Sequence, residues 1–315
     1  MSESSFTIGM VGLGRMGANM SRRMARAGIR VFGFDASDEA RNALAEEAGV
    51  QCFATLSEMV AALPAATAGK NARLIWVMLP AGEITDTTLE MLWQQLAAGD
   101  LIVEGGNSNY QDSQRRAARS REQGIEFLDC GVSGGVWGLA NGYCLSLGGA
   151  PEAVERVRVF ADALAPGGAD GWMHCGPSGA GHFVKMIHNG IEYGMMQAIA
   201  EGFALLEGQG QMNIDLGGVA KLWQQGSVIR SWLLDLTADA LAEPGALGAV
   251  APFVSDSGEG RWTIDEAIRQ GTPAPVIALA LMSRFDSQGR ADTANRLLAL
   301  MRQGFGGHAI KKEQL

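Results

Sequence analysis

The sequence has few of the features that mark a secreted, metal-binding or membrane protein. Its 315 residues contain four cysteines, Cys52, Cys130, Cys144 and Cys175. They form no CxxC pair and no Cys/His group at metal-ligand spacing, which argues against a zinc site and a disulfide framework. No apolar run approaches the roughly 18 to 20 residues that cross a bilayer, and the N-terminus lacks the pattern of a signal peptide. We therefore expect a cytoplasmic protein with reduced thiols, no metal and no membrane association.

The sequence also lacks blocks of like charge. Its net charge is −9, from 34 acidic and 25 basic residues, and the basic residues do not cluster, so a nucleic-acid partner is not expected. A composition of 47% hydrophobic and 19% charged residues is typical of a globular protein. At this length we expect two domains.

A glycine-rich turn near the N-terminus follows a short apolar segment, residues 6–11, and precedes a helical segment that ends near Gly28. In a strand–turn–helix of this kind, Gly12 permits the tight turn, Gly14 the approach of a pyrophosphate and Gly17 close helix packing. The helix N-terminus then faces the phosphates. The expected cofactor contacts in this turn are Gly12, Leu13, Gly14, Arg15, Met16 and Gly17.

Asp35 stands where a ribose-binding carboxylate is expected. It ends the second predicted strand, residues 29–34, eighteen residues beyond Gly17. Its charge would accept hydrogen bonds from the ribose hydroxyls and repel a 2′-phosphate, and no arginine follows at Ala36 or Ser37. The sequence therefore predicts NAD as the cofactor, although Asp35 could instead cap a helix or a turn.

Strand and helix patterns alternate through the first half of the chain and then stop. Further strands are predicted near residues 72–78, 101–104, 125–129, 143–147 and 171–174. The second half shows helical patterns near 180–209, 215–225, 229–241, 263–269, 273–285 and 292–302, while the segment 302–308 is too glycine-rich for a helix. This order predicts an α/β fold: a Rossmann-type doubly wound, mainly parallel sheet in residues 1–178, followed by an all-helical domain in residues 179–315.

Two glycine-flanked loops follow predicted strands. Asn107 lies in Gly-Gly-Asn-Ser and Ser133 in Gly-Val-Ser-Gly-Gly. Because ligands bind at the carboxyl ends of parallel strands, both loops could offer donors to a substrate carboxylate. Each loop by itself is equally compatible with a simple turn.

A lysine, an amide and a carboxylate share one stripe of the long predicted helix. At about 100° per residue, Lys185 and Glu192 fall on the same face, with Asn189 one turn from each. Apolar neighbours on both sides indicate a mostly buried helix, in which polar side chains need a functional reason. The alternative is a solvated face with a charge pair.

These segments together resemble the decarboxylating 6-phosphogluconate dehydrogenases, in the short form whose helical domain is not duplicated. The resemblance covers nearly the whole chain. It lies in the segments 12–19, 105–108, 133–135 and 182–194, and in the tail pattern Arg302-x-x-Phe305-Gly306-x-His308.

The resemblance implies oxidation of an anionic sugar acid by NAD with release of carbon dioxide. It implies that Lys185 is the catalytic base and Glu192 the catalytic acid, assisted by Asn189, and that Asn107 contacts both cofactor and substrate. The other substrate contacts that we expect are Ser133, Gly134, Gly135, His188, Tyr193, Arg261, Arg302 and His308. Of these, Arg302 and His308 would reach a partner subunit, so a homodimer or homotetramer is expected.

The chain departs from this family where a phosphate is bound. The family pattern Lys-Gly-x-Gly-Lys-Trp reads Ser-Gly-Glu-Gly-Arg-Trp here, so Ser257 replaces the first lysine. A further family arginine aligns near Ala280, with Arg284 close by. Two alternatives remain open: an NAD-dependent dehydrogenase of a small 3-hydroxy acid, such as hydroxyisobutyrate or tartronate semialdehyde, and a non-catalytic NAD-binding protein.

Overall fold

A computed structural model describes residues 6–64, 72–243, 245, 247–306, 309 and 311 of the chain. The chain separates into two compact units, Met1–Met186 and Ile187–Leu315. The first unit contains a sheet with helices around it, and the described part of the second is helical. Among the described residues, no helix is long and apolar enough to cross a membrane.

The strands of the first unit form one sheet. They are β1 Thr7–Val11, β2 Arg30–Phe34, β3 Val50–Phe53, β4 Leu74–Val77, β5 Leu101–Glu104, β6 Glu126–Ser133, β7 Cys144–Gly148 and β8 Trp172–Gly176. Their spatial order is β3-β2-β1-β4-β5-β6-β7-β8. Every neighbouring pair is parallel except β6 and β7, which run antiparallel. The strand order reverses beside β1, so a ligand crevice is expected at the carboxyl ends of β1 and β4.

The α-helices of the described chain follow in sequence. In the first half they are α1 Arg15–Arg26, α2 Asp38–Asn42, α3 Leu56–Ala62, α4 Glu83–Trp93, α5 Tyr110–Glu122, α6 Gly138–Asn141 and α7 Pro151–Leu164. The long helix α8 spans Ala180–Gly208. After it come α9 Leu216–Trp223, α10 Trp232–Leu241, α11 Glu259–Gln270, α12 Pro275–Ser287 and α13 Asp292–Gly306.

Alternate residues of the central strands enter two different apolar clusters. On β4, Leu74 and Trp76 belong to one cluster, and Ile75 and Val77 belong to the other. Helices α1 and α7 complete the first cluster, whereas α3, α4 and α5 complete the second. Successive side chains of a strand point to opposite faces, so the sheet is covered on both. The predicted doubly wound, mainly parallel sheet followed by a helical region is confirmed.

Three details differ from the sequence predictions. Strand β3 was missed because it is a short, partly exposed edge strand without an apolar run. Helix α11 begins at Glu259, four residues before the predicted start, because Gly258 with a φ of +101° provides the turn that starts it. Helix α13 continues to Gly306, so the prediction that the segment after residue 302 is too glycine-rich for a helix was wrong. Extending an existing helix through a glycine costs only about 1 kcal/mol.

Candidate active site

The turn after β1 has the geometry of a dinucleotide phosphate site. Gly12 has a φ of +92°, and a Cβ on Gly17 would lie 1.9 Å from the Gly12 carbonyl oxygen. A Cβ on Gly14 would meet nothing within 4 Å, so a ligand can approach its backbone. Helix α1 begins at the exposed Arg15, followed by the half-buried Met16, with no acidic residue in its first turn and no side-chain cap. Its N-terminal amides are therefore suited to a pyrophosphate.

Asp35 joins this turn to the end of β2. Its Oδ2 accepts a hydrogen bond from the backbone N–H of Leu13 at 2.7 Å, and its Oδ1 accepts one from the N–H of Ser37 at 2.8 Å. Ser37 caps α2 by accepting from the N–H of Ala40. Ser37 thus fills the helix-cap role, whereas Asp35 caps the turn before α2 through the Ser37 N–H, as the sequence also allowed, and its contact with a ribose stays a prediction.

An arginine lies near Asp35 in space although none follows it directly in sequence. Arg41 in α2 donates from Nη1 to the Asp35 backbone carbonyl at 2.5 Å and forms an ion pair with Asp38. Ala36 and Ser37 are the residues that follow Asp35 directly in the sequence. The first turn of α2, however, brings Arg41 back to the end of β2. Arg41 is thus paired with Asp38, and its described contact with residue 35 is to the backbone carbonyl and not to the carboxylate.

The loop that carries Asn107 stands on a buried carboxylate. Glu104, at the end of β5, is fully buried and accepts hydrogen bonds from the Arg116 guanidinium at 2.5 Å and from the Ser108 hydroxyl. Arg116 is itself buried, so the two charges compensate each other away from water. Asn107 precedes Ser108 and is exposed. Its position is therefore set by a buried ion pair beneath it.

Two carboxylates of the sheet fix the first turn of α8. Asp129 is fully buried on β6 and accepts the backbone N–H of Gly179 at 2.6 Å and that of His182 at 2.9 Å. The Ser113 hydroxyl lies 3.2 Å from Glu104 Oε2 and 2.7 Å from His182 Nδ1. The start of α8 is consequently tied to both β5 and β6.

Lys185 follows this turn and lies against β6. A Cβ on Gly131 would lie 2.4 Å from Lys185 Cβ, 2.5 Å from Ser146 Oγ and 2.7 Å from the Gly181 carbonyl oxygen. Ser146 donates to that carbonyl at 2.9 Å. Only glycine at position 131 permits α8 to approach this closely. The half-buried Lys185 is thus fixed against Gly131, which lies two residues before Ser133 on β6.

The loop after β6 has an irregular backbone that depends on glycine. Ser133 ends the strand and is half-buried, and it is followed by Gly134 with a φ of +132° and Gly135 with a φ of +52°. A Cβ on Gly134 would lie 3.2 Å from the Gly142 carbonyl oxygen. These positive φ values favour glycine, which leaves the loop backbone accessible at the end of β6, the strand against which Lys185 lies.

Helix α8 carries Lys185, Asn189 and Glu192 at positions i, i+4 and i+7, as the sequence predicted. The expectation of a mostly buried helix was wrong for this chain by itself. Val184 is 43% exposed and Ile191 is 51% exposed. Lys185, Asn189 and Glu192 are partly exposed as well.

Asn189 is held between two side chains of the second unit. Its Nδ2 donates to Glu259 Oε1 at 3.0 Å, and its Oδ1 lies 3.0 Å from His188 Nδ1. His188 is exposed, and its Nδ1 is also 3.8 Å from Glu192 Oε2. His188 is therefore placed to orient both functional side chains of the stripe.

Tyr193, Ser257 and Arg284 form a second polar group in this unit. The Tyr193 hydroxyl lies 3.1 Å from Ser257 Oγ and accepts the Ser257 N–H at 3.3 Å. The Arg284 Cζ lies 3.6 Å from the Tyr193 ring centroid, and its Nη1 donates to the Ser255 carbonyl at 2.7 Å. The position suggested for a family arginine, Ala280, is fully packed within the apolar cluster around Tyr193. The cation at this place is Arg284.

Arg261, in the first turn of α11, is engaged by the loop before this helix and by α12. It donates from Nε to Asp256 at 2.5 Å, and its Cζ lies 4.4 Å from the Phe285 ring centroid. Burial acts to raise the pKa of the Asp256 carboxyl, but the hydrogen bonds from Arg261 and the Gly258 N–H outweigh it and hold that pKa below its usual value. Arg261 therefore stabilises the conformation of the loop that contains Asp256.

Arg302 and His308 are the candidate residues nearest the C-terminus. Arg302 is exposed on α13, with no contact to the other candidate residues among the described hydrogen bonds and ion pairs. His308 lies outside the described residues. Arg302 is therefore not brought to the groups above by any described contact of one chain.

The fold and these side chains define the class of pyridine-nucleotide dehydrogenases. Residues 7–175 match the NAD-binding domain of 6-phosphogluconate dehydrogenase, and residues 181–313 match the C-terminal domain of the same enzyme. The chain belongs to the 6-phosphogluconate dehydrogenase family.

Similar proteins agree with this assignment. The chain is 42% identical to an NAD(+)-dependent, decarboxylating 6-phosphogluconate dehydrogenase of Haloferax volcanii, over 97% of this chain and 99% of that protein. It matches the Plasmodium falciparum 6-phosphogluconate dehydrogenase structure with a TM-score of 0.82 and 28% identity, over 98% of this chain and 66% of the longer one. The Mycobacterium tuberculosis 3-hydroxyisobutyrate dehydrogenase matches with a lower TM-score of 0.70 and 25% identity, over 91% and 94%.

Several residues that build the site were missed by sequence reasoning. Glu104 and Asp129 hold the Asn107 loop and the start of α8, and Glu259 holds Asn189. For the first two a signal was available, since each is an acidic residue at or near the end of an apolar strand, where a charge needs a reason. Glu259 had no such signal because it follows Ser257 and Gly258 and not an apolar strand.

Proposed function

We propose that this chain oxidises and decarboxylates 6-phosphogluconate to ribulose 5-phosphate and carbon dioxide, with NAD as the hydride acceptor. The observation that carries the proposal is Lys185, fixed against Gly131 on β6 at the start of a helix that also presents Asn189 and Glu192. A base and an acid on one helical stripe provide for two separate proton transfers. A simple 3-hydroxy acid dehydrogenase needs only the first of them.

Lys185 performs the first proton transfers in this mechanism. NAD, when bound, accepts the hydrogen on substrate C3 as a hydride. Lys185 begins uncharged and takes the proton of the C3 hydroxyl, so that a ketone forms. The carboxylate is then β to the new carbonyl, and its carbon–carbon bond breaks to release carbon dioxide. The bond electrons form an enediol as protonated Lys185 returns its proton to the carbonyl oxygen.

Glu192 completes the reaction. Glu192, two helical turns from Lys185, donates a proton to C1 of the product, which was C2 of the substrate. The neutral Lys185 takes the hydroxyl proton from C2 of the product, and the enediol becomes the ketone. Asn189 lies between Lys185 and Glu192 and hydrogen-bonds the substrate. The Asn107 and Ser133 loops, with Gly134 and Gly135, bind the substrate carboxylate through donors at the strand ends.

The phosphate group is bound by Tyr193, Ser257 and Arg284 in this proposal. Arg284 is half-buried above the Tyr193 ring and supplies the cation that Ser257 cannot. Arginine is well suited to phosphate because its donors form a planar fork. Arg261 supports the loop from the Asp256 side.

The proposed cofactor is NAD rather than NADP. Asp35 carries a carboxylate at the end of β2, and Arg41 is paired with Asp38. The relative from Haloferax volcanii is described as NAD(+)-dependent, whereas the Plasmodium falciparum enzyme is described with NADP+. The carboxylate would repel a 2′-phosphate and therefore favours the first cofactor.

The proposed assembly is a homodimer or homotetramer. Large apolar side chains of the second unit are exposed within one chain, which is typical of a surface that another subunit covers. They include Ile191 and Leu205 on α8, Val276, Leu279 and Met282 on α12, and Leu297, Leu298, Leu300 and Met301 on α13. Arg302 lies on the same exposed helix as the last group and would act in the partner's site, as would His308.

A substrate panel tests this function. Purified enzyme is given 6-phosphogluconate, 3-hydroxyisobutyrate or glycerate, whose oxidation gives tartronate semialdehyde, with NAD or NADP, while reduced cofactor and carbon dioxide are both measured. We expect equal amounts of NADH and carbon dioxide from 6-phosphogluconate, with NAD preferred. Reduced cofactor without carbon dioxide, or faster turnover of a hydroxy acid that lacks phosphate, would assign the chain to the other class of dehydrogenase.

A further inference from the structure

Glu259 is a buried carboxylate of the second unit that the mechanism above does not use. It is 3% exposed and occupies the first position of α11, directly after Gly258. Its Oε1 accepts a hydrogen bond from Asn189 Nδ2 at 3.0 Å. A buried carboxylate is costly unless its contacts repay it, so its contact with a functional amide calls for an explanation.

Close packing of α8 on α11 brings Glu259 to Asn189. A Cβ on Gly190 would lie 2.7 Å from Thr263 Cγ2, and a Cβ on Gly260 would lie 2.7 Å from the Tyr193 ring. Side chains at either glycine would separate the two helices. The Glu259–Asn189 contact is thus built into the crossing of these helices and is not the chance meeting of two flexible side chains.

The contact also determines which way the Asn189 amide faces. A carboxylate oxygen accepts hydrogen bonds, so the amide nitrogen of Asn189 must face Glu259. The amide oxygen then faces His188 Nδ1, which can donate. Glu259 fixes this orientation, and His188 is compatible with it when its Nδ1 carries the proton.

We propose that Glu259 is a positioning residue that holds Asn189 with its amide oxygen toward the substrate, so that Asn189 accepts a hydrogen bond from a substrate hydroxyl. The inference rests on the proposed function, since it concerns the same site. An amide free to rotate would also present its nitrogen, which cannot accept a hydrogen bond from a substrate hydroxyl. Substrate binding and turnover would then both suffer.

Variants at Glu259 test the inference. Glu259→Leu removes the acceptor, and we expect kcat/KM for 6-phosphogluconate to fall about tenfold to a hundredfold, with KM for NAD unchanged. Glu259→Gln keeps one acceptor oxygen in the same shape and should lose less. The control is Glu266→Gln, since Glu266 is 5% exposed on the same helix and accepts hydrogen bonds from Arg269 and Gln270 of that helix. It should alter the thermal midpoint without altering either KM.

An exchange of partners separates positioning from folding. Asn189→Asp sets two carboxylates against each other and should reduce kcat/KM by more than a hundredfold, whereas Asn189→Asp with Glu259→Gln restores a donor opposite an acceptor. We expect the double variant to recover at least about tenfold over Asn189→Asp. No recovery, or Glu259→Leu with normal kcat/KM and only a lower thermal midpoint, would overturn the positioning role.

Assays of the wild-type enzyme distinguish a failure of this inference from a failure of the proposed function. If wild type releases no carbon dioxide from 6-phosphogluconate, the proposed function fails, and the same variants are compared on the hydroxy acid that wild type does oxidise. If wild type is active and Glu259→Leu matches it in KM and kcat, only the role of Glu259 is overturned.

Discussion

Lys185 and Tyr193 lie on the same helix, but different interactions hold the two ends of the segment. Around Lys185 the contacts involve backbone: Asp129 accepts two amide groups, and Gly131 has no side chain where the helix passes. Around Tyr193 the contacts involve the side chains of Ser257 and Arg284, both at least partly exposed. The end with the proposed proton chemistry therefore depends on the sheet, whereas the proposed phosphate end depends on exchangeable side chains.

This difference explains how Ser257 can replace a lysine of the family pattern without disturbing the fold. An exposed side chain such as Ser257 can differ from the family lysine while the neighbouring Arg284 supplies the positive charge. At the other end, the contacts described above pass through buried atoms of β6 and β7, so a substitution there moves the helix itself. The two ends should consequently respond to mutation in different ways.

The largest effect is expected at Lys185. Lys185→Met keeps the length of the side chain and removes the amine, so kcat should fall by about a thousandfold or more, because no other base replaces it. The affinity for NAD, measured by fluorescence titration, should not change. Lys221→Met is the matched control, since Lys221 is an exposed lysine of α9, and it should behave as wild type. A modest loss at Lys185 would return it to the role of a solvated surface lysine.

A smaller but still large effect is expected when the backbone contact is disturbed. Gly131→Ala places a methyl group 2.4 Å from Lys185 Cβ, so α8 must shift. We expect a loss of about 1–3 kcal/mol in the free energy of unfolding, measured in urea. A displacement of about 1 Å at the base should lower kcat by about a hundredfold.

The control for this prediction is another glycine on α8. A Cβ on Gly202 would meet nothing within 4 Å, so Gly202→Ala should leave kcat unchanged and stabilise the helix slightly. Normal turnover in Gly131→Ala would mean that the approach of α8 to β6 does not position the base.

The sequence was sufficient for the parts of this structure that follow from local patterns. The glycine turn, Asp35 and the stripe on α8 were all located because each has a fixed spacing along the chain. The class of sheet, doubly wound and mainly parallel, could be predicted because alternating strands and helices allow few parallel arrangements. What these residues do was taken from the family resemblance, and their roles stay predictions.

The remaining parts depend on contacts between distant segments. Glu104 meets His182 through Ser113, and Glu259 meets Asn189 seventy residues away, so no spacing rule connects them. The burial of α8 was predicted wrongly for a related reason. Apolar residues show that a surface is covered, but they do not show whether the same chain or a second copy covers it.

The smallest effect, and the sharpest test of the comparison, is expected at Arg284. Arg284→Met removes the guanidinium above Tyr193 but keeps an unbranched apolar stem, so the phosphate should lose a charged hydrogen-bond donor. We expect KM for 6-phosphogluconate to rise about tenfold with kcat nearly unchanged. Turnover of gluconate, which has no phosphate, should not respond.

Arg290→Met is the matched control for this change. Arg290 also lies over an aromatic ring of α12, with its Cζ 5.4 Å from the Phe285 centroid, but it is exposed and does not contact Tyr193 in the described contacts. It should leave both substrates unaffected. If Arg284→Met instead lowered kcat for both substrates, as Gly131→Ala should, the two ends of the segment would be coupled, and the separation between a sheet-dependent end and a side-chain-dependent end would fail.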